Sequence, residues 1–221
     1  MRKRLFSLQD KQYKSFNEKL LPNINNIIGV RIPILRQLAK ELARENWQNY
    51  KDELYYEEIM LQGLVIGYAN IPAEKKLQYL KDFIPKINNW GVCDTVCSNL
   101  KFIKQQQKIV WKFIQPYLKS DKEFDVRFAI VILLNYFIDD NYIDEVLIIL
   151  DKIKHNGYYA KMAVAWALSI CFVKYWHKTF EYFQKSDLDN WTYNKTIQKT
   201  CESLRISKKN KSELKNIRRI Q

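Results

Sequence analysis

An aromatic face beside a carboxylate can hold a positive charge between them, and the segment Asn88 to Cys97 offers that pair. Trp90 and Asp94 stand four apart, which makes them neighbours on one face of a helix. Lys101 follows seven after Asp94 on the same face. Val92, Cys93, Val96, Leu100 and Ile103 form the adjoining apolar stripe. A purely structural account is open as well: Trp90 packs under a loop, and Asp94 caps the helix or pairs with Lys101. Arg127 comes two after Asp125 and four after Glu123, a spacing that also suits a local Glu123–Arg127 ion pair. Trp166 lies in the apolar run Ala163 to Leu168, where a core tryptophan is the default expectation.

Other chemistries have little material to work with. No Gly-rich phosphate loop is present. Cys93 and Cys97 lack a second ligand pair at zinc spacing, and the two histidines, His155 and His177, are remote in sequence, so no metal and no cofactor are expected. Histidine-based nucleophilic catalysis is disfavoured for the same reason. Acid–base work falls to a carboxylate.

The elements that must position these residues are helices. Five Gly and five Pro in 221 residues argue against a turn-rich sheet protein, and a 47% hydrophobic content supplies a sizeable core. One helix is expected over Leu8–Leu21, with Leu8, Gln12, Phe16 and Leu20 in step. Pro33 opens a second, running through Leu35, Leu38, Ala39 and Leu42. Others are expected over Glu53–Tyr68, after Pro72, after a capping box Ser120-x-x-Glu123, and over Ile143–Ile153 and Tyr158–Val173. Short links force antiparallel neighbours. Small residues Thr95, Ala129 and Ala163 recur at a period of about 34, the range of helical-hairpin solenoids. The expected fold is an all-α superhelix of stacked antiparallel helix pairs, a single domain over 1–221. From Ser207 a basic tail follows, read equally as a frayed helix end or a phosphate-contacting arm.

Lys+Arg of 37 against Asp+Glu of 24 leaves a net charge of +13. Such a charge draws polyanions, nucleic acid or an anionic membrane surface. No apolar run reaches the roughly 20 residues of a membrane helix. The basic N-terminus is not followed by a signal core, so a cytoplasmic location is expected. Cys93, Cys97, Cys171 and Cys201 then read as free thiols, mostly in the core.

Taken together, these residues resemble the AlkD-type DNA alkylation repair family of HEAT-like-repeat DNA glycosylases. The resemblance runs from Ile28-Gly29-Val30-Arg31-Ile32-Pro33-Ile34-Leu35-Arg36 to Lys195-Thr196-Ile197-Gln198-Lys199. The family's W-x-x-x-D matches Trp90 and Asp94, its active-site arginine matches Arg127, and its second cleft tryptophan matches Trp166 in Lys161-Met162-Ala163-Val164-Ala165-Trp166. The resemblance implies excision of purines alkylated at N3 or N7 from double-stranded DNA, by a monomer, with the base left stacked. Asp94 would stabilise the sugar cation, Trp90 and Trp166 would hold the deoxyribose, and Arg127 would hold phosphate. Lys101, Lys161, Lys195 and Lys199 are the further expected DNA contacts. The family carries one more N-terminal helix than the single one expected before Gly29, which implies a shortened paralogue. An active glycosylase, a non-catalytic DNA-binding paralogue and a protein-binding scaffold are the three function classes this leaves.

Overall fold

The computed structural model describes residues 1–45 and 47–220. Thirteen α-helices and four short 3-10 turns account for their regular structure, with no strand among the described residues. They divide into two compact units, Met1–Phe113 and Ile114–Gln221.

The first unit begins with two helices where the sequence suggests one: α1 (Arg2–Ser7) and α2 (Lys11–Leu20). The break has a local cause. Asp10 caps α2 by accepting from the Tyr13 amide at 2.9 Å, and its own amide donates to the Gly29 carbonyl at 2.9 Å. An extended residue held at both ends cannot continue a helix. The expected Leu8–Leu21 stripe fails with it. Phe16 and Leu20 are exposed, while Leu5, Asn17 and Leu21 are buried.

Gly29 has φ +98°, and a Cβ there would lie 2.5 Å from the Lys14 Cβ. No other residue fits both the backbone angle and the space. α3 (Ile32–Leu42) follows with Pro33 in its first turn. α4 (Tyr56–Tyr68) packs on α3, on α5 (Ala73–Phe83) and on α6 (Trp90–Asn99); α7 (Gln107–Ile114) spans the boundary between the units.

In the second unit α8 (Glu123–Tyr136), α10 (Tyr158–Lys174) and α12 (Asn190–Glu202) pack side by side. α9 (Ile143–Lys152) and α11 (Trp176–Gln184) lie against α10, and α13 (Lys208–Asn216) lies against α12. The helices α4, α6, α8, α10 and α12 start at Tyr56, Trp90, Glu123, Tyr158 and Asn190, a repeat of about 34 residues. Thr95 falls in α6, Ala129 in α8 and Ala163 in α10; the two alanines are fully buried, where a small residue lets helices approach.

Two further expectations are corrected. Ser120 does not cap α8: Lys122 holds the N-cap position, while the Ser120 hydroxyl accepts from the Lys122 amide and donates to Asp125. The C-terminal segment is an ordered helix, not a frayed end. Ser207 caps α13 through the Asn210 amide, Leu214 is buried, and Arg219 is bound to α12 and the loop before it. Its guanidinium donates to the Leu188 and Ser186 carbonyls and lies 3.8 Å from the centre of the Tyr193 ring.

Candidate nucleic-acid site

Trp90 and Asp94 are the first and fifth residues of α6, whose N-cap Asn89 accepts from the Val92 amide at 2.9 Å. Val92, Cys93 and Val96 are fully buried, as are Leu100 and Ile103 beyond the helix end. That anchorage fixes the opposite face, and Trp90 and Asp94 are left partly exposed on neighbouring turns. Lys101 lies outside their helix. α6 ends at Asn99, and Lys101 starts the 3-10 turn Lys101–Gln105, exposed.

The start of α4 supplies what the sequence did not suggest. A Cβ at Gly91 would stand 2.6 Å from the Tyr56 hydroxyl, so only glycine admits that ring. Burial pushes the Tyr56 hydroxyl pKa up, and the nearby groups of Tyr13, Glu57 and Asp94 push it further. Tyr56 is therefore a neutral donor or acceptor at any working pH, close to the Asp94 carboxylate.

Next to it, Glu57 is fully buried and accepts from three successive amides: Ile28 at 2.9 Å, Gly29 at 2.6 Å and Val30 at 3.2 Å. Three amides turned onto one carboxylate form a nest. Gly29 makes the nest possible, which gives the glycine of the Gly29–Arg36 motif its physical task. Tyr56 precedes Trp90 by one repeat; that phase is the signal that could have revealed it.

In the second unit Arg127 is the fifth residue of α8 and is buried, 4% exposed. Its Nη1 donates to the Tyr159 carbonyl at 2.8 Å, and the guanidinium lies over the Tyr159 ring at 5.9 Å. One turn earlier, the Glu123 carboxylate accepts from the Tyr159 amide. The two α8 side chains thus grip both backbone groups of one residue in the first turn of α10. The Glu123 charge also sits at the positive end of the α10 dipole.

Trp166, in the middle of α10, is partly exposed between fully buried Ala165 and Ala167. Lys161 pairs with Asp189, the N-cap of α12, at 3.3 Å. Burial pushes Asp189 up, but hydrogen bonds from the Thr192 hydroxyl and amide and from Lys161 outweigh it and hold the carboxyl below its ordinary value. Lys195 lies over the Trp191 ring at 5.5 Å and donates to Gln198. Lys199 stands 3.8 Å from Glu202. Lys161, Lys195 and Lys199 are all partly exposed.

The structure thus pairs Trp90 with Asp94 on one helix of the first unit. It places Arg127, Trp166 and these three lysines on neighbouring helices of the second. Cys93, Cys97 and Cys171 are buried and in no disulfide, and burial raises the Cys171 thiol pKa to about 12, which makes it inert. No helix among the described residues is long and apolar enough to cross a membrane.

A net charge of +13 on an all-helical chain attracts polyanions. The comparison with known families is more definite. The model of the DNA alkylation repair enzyme family matches residues 1–200, and the chain belongs to that family. No curated protein matches it.

Proposed function

We propose that the protein is a DNA glycosylase acting on cationic alkylpurines, such as 3-methyladenine and 7-methylguanine, in double-stranded DNA. The observation that carries this is the α6 face: a carboxylate and an indole one turn apart, partly open, on a helix anchored by a fully buried stripe. A purine alkylated at N3 or N7 already carries a positive charge. When its C1′–N9 bond breaks, the bonding pair leaves with the base and quenches that charge. The sugar becomes an oxocarbenium-like cation, water adds to C1′, and a proton is lost. A leaving group of this kind needs no general acid.

Asp94 stabilises the sugar cation and receives the water's proton, and Trp90 presents its face to the sugar through contacts of roughly 0.5–2 kcal/mol. In the same reading Trp166 and Arg127 contact the DNA from the second unit, with the base left stacked. Arg127 does so as a permanent positive charge that also sets the first turn of α10. The protein works as a monomer, in one HEAT-like-repeat domain.

The test is release of 7-methylguanine from methylated duplex DNA. The unaltered protein is expected to release it, and Asp94→Asn to lose about 100-fold or more in rate with duplex affinity nearly unchanged. Such a split marks an interaction made only in the transition state. Equal rates for the two proteins remove Asp94 from the mechanism. No release by the folded parent removes the glycosylase reading in favour of a DNA-binding paralogue. Duplex affinity is expected to fall with salt at a log–log slope of about −0.9 per neutralised phosphate. A salt-insensitive affinity contradicts the electrostatic part of the proposal.

A further inference from the structure

The helix starts of the second unit carry a row of aromatic rings that the glycosylase reading does not use. Phe124 is the second residue of α8, Tyr158 and Tyr159 open α10, and Trp191 is the second residue of α12. Their rings form an unbroken chain. Phe124 to Tyr159 is 5.4 Å between centres, Tyr159 to Tyr158 is 5.3 Å, and Tyr158 to Trp191 is 5.6 Å. The last two contacts are edge-on, at 81° and 60°, so the rings do not bury one another face to face. Tyr158, in the middle, remains 56% exposed.

Two cations lie on this chain. Lys195 stands over Trp191 at 5.5 Å and Arg127 over Tyr159 at 5.9 Å. The acids nearby are committed elsewhere: Glu123 accepts from the Tyr159 amide, and Asp189 is paired with Lys161 and Thr192. The row follows the fold's own repeat. Tyr56 and Trp90, which open α4 and α6, fall at the same phase about 34 residues apart. In the first unit, however, Tyr56 is buried and the chain of rings is a feature of the second unit's described contacts.

We propose that the Phe124–Tyr159–Tyr158–Trp191 row is a stacking platform for the bases of an unpaired DNA strand. The proposal rests on the DNA-repair reading above and adds a second contact to it. Open aromatic faces stack on open base faces, and only an unpaired strand offers these, because a duplex covers its base faces with one another. Lys195, the partly exposed cation of the two, then meets a backbone phosphate, while buried Arg127 holds the Tyr159 ring in place. Stacking of this kind is indifferent to sequence, since every base has a π-face. The occupant is a strand opened beside damage or left single-stranded, which the row holds while the helices of the same unit meet neighbouring phosphates.

The experiment is fluorescence anisotropy on the full chain with two labelled probes, an oligothymidine single strand of about twelve nucleotides and a duplex hairpin of similar length. Tyr158→Ala is expected to weaken the single strand about fivefold or more, to change duplex affinity by less than about twofold, and to keep the parent Tm because the side chain is exposed. Trp191→Leu is expected to act in the same direction, and Tyr158→Phe to bind like the parent.

Single-strand binding by Tyr158→Ala as tight as the parent's overturns the platform. So does an equal loss on both probes, which would make the row part of a duplex contact, and so does a parent that binds no single strand. Release of 7-methylguanine, measured beside these titrations, reads the glycosylase proposal separately. A parent that releases base while Tyr158→Ala binds single strand normally loses only the platform.

Discussion

Asp94 and Arg127 occupy the same place in successive repeats, the fifth residue of α6 and of α8, yet the fold treats them oppositely. Asp94 is partly exposed beside Trp90, on a helix whose stability comes from Val92, Cys93 and Val96 on its other side. Arg127 is buried and holds a main-chain carbonyl of the next helix. A charge at one register can therefore stay partly open in one unit and be buried as a clasp on the next helix in the other. What separates them is the neighbouring first turn. α10 offers Arg127 the Tyr159 carbonyl and ring, whereas α4 sets the neutral Tyr56 hydroxyl near Asp94.

The sharpest way to break this contrast is to remove each charge and read stability together with chemistry. Arg127→Ala leaves the part-buried Tyr159 carbonyl without this donor and opens space between α8 and α10. We expect a loss of about 3 kcal/mol, a fall in Tm on the order of 6–12 °C. Asp94→Asn, whose effect on base release is given above, is expected to shift Tm by less than about 2 °C, since the amide keeps the shape and the buried stripe is untouched. A large Tm loss in Asp94→Asn together with a small one in Arg127→Ala would invert the comparison.

The smallest effect concerns acid. In the first unit the buried Glu58 carboxylate accepts from Arg2 Nε at 2.6 Å and from the Leu54 and Tyr55 amides. Burial pushes Glu58 up, but the hydrogen bonds from Arg2 and Tyr55 outweigh it, so the group stays below its ordinary value of 4.5. A depressed carboxylate contributes stability that is present above the unfolded value and is lost as pH falls through the folded one. The first unit is thus expected to loosen below about pH 4.5, and Glu58→Gln to flatten that part of the stability–pH curve. The Arg127 clasp stays charged throughout and contributes no slope there. Melting curves of the parent and Glu58→Gln between pH 3 and 7 check both halves; an unchanged slope in Glu58→Gln would detach the acid response from this clasp.

Helix content, the repeat of about 34 residues and the buried stripe of α6 were all legible in the amino-acid sequence. Each follows from the local period of apolar side chains, and Val92, Cys93, Val96, Ala129 and Ala163 lie where that period puts them. Pro33 likewise opens α3 because its fixed φ acts within a single residue. The pairing of Trp90 with Asp94 was legible for the same reason, being a spacing along one helix.

What only the tertiary structure decided is the partner of each polar group. The Leu8–Leu21 stripe looked continuous, but Asp10 bonds the Gly29 carbonyl and the helix breaks in two. In sequence α6 looked continuous through Lys101, but the helix ends at Asn99 and a 3-10 turn carries Lys101. Glu57 and Arg127 carry no local mark that distinguishes them from surface charges. Their burial depends on the amides of Ile28–Val30 and on Tyr159, about 30 residues away in the chain, and periodicity along one helix holds no information about contacts made at that distance.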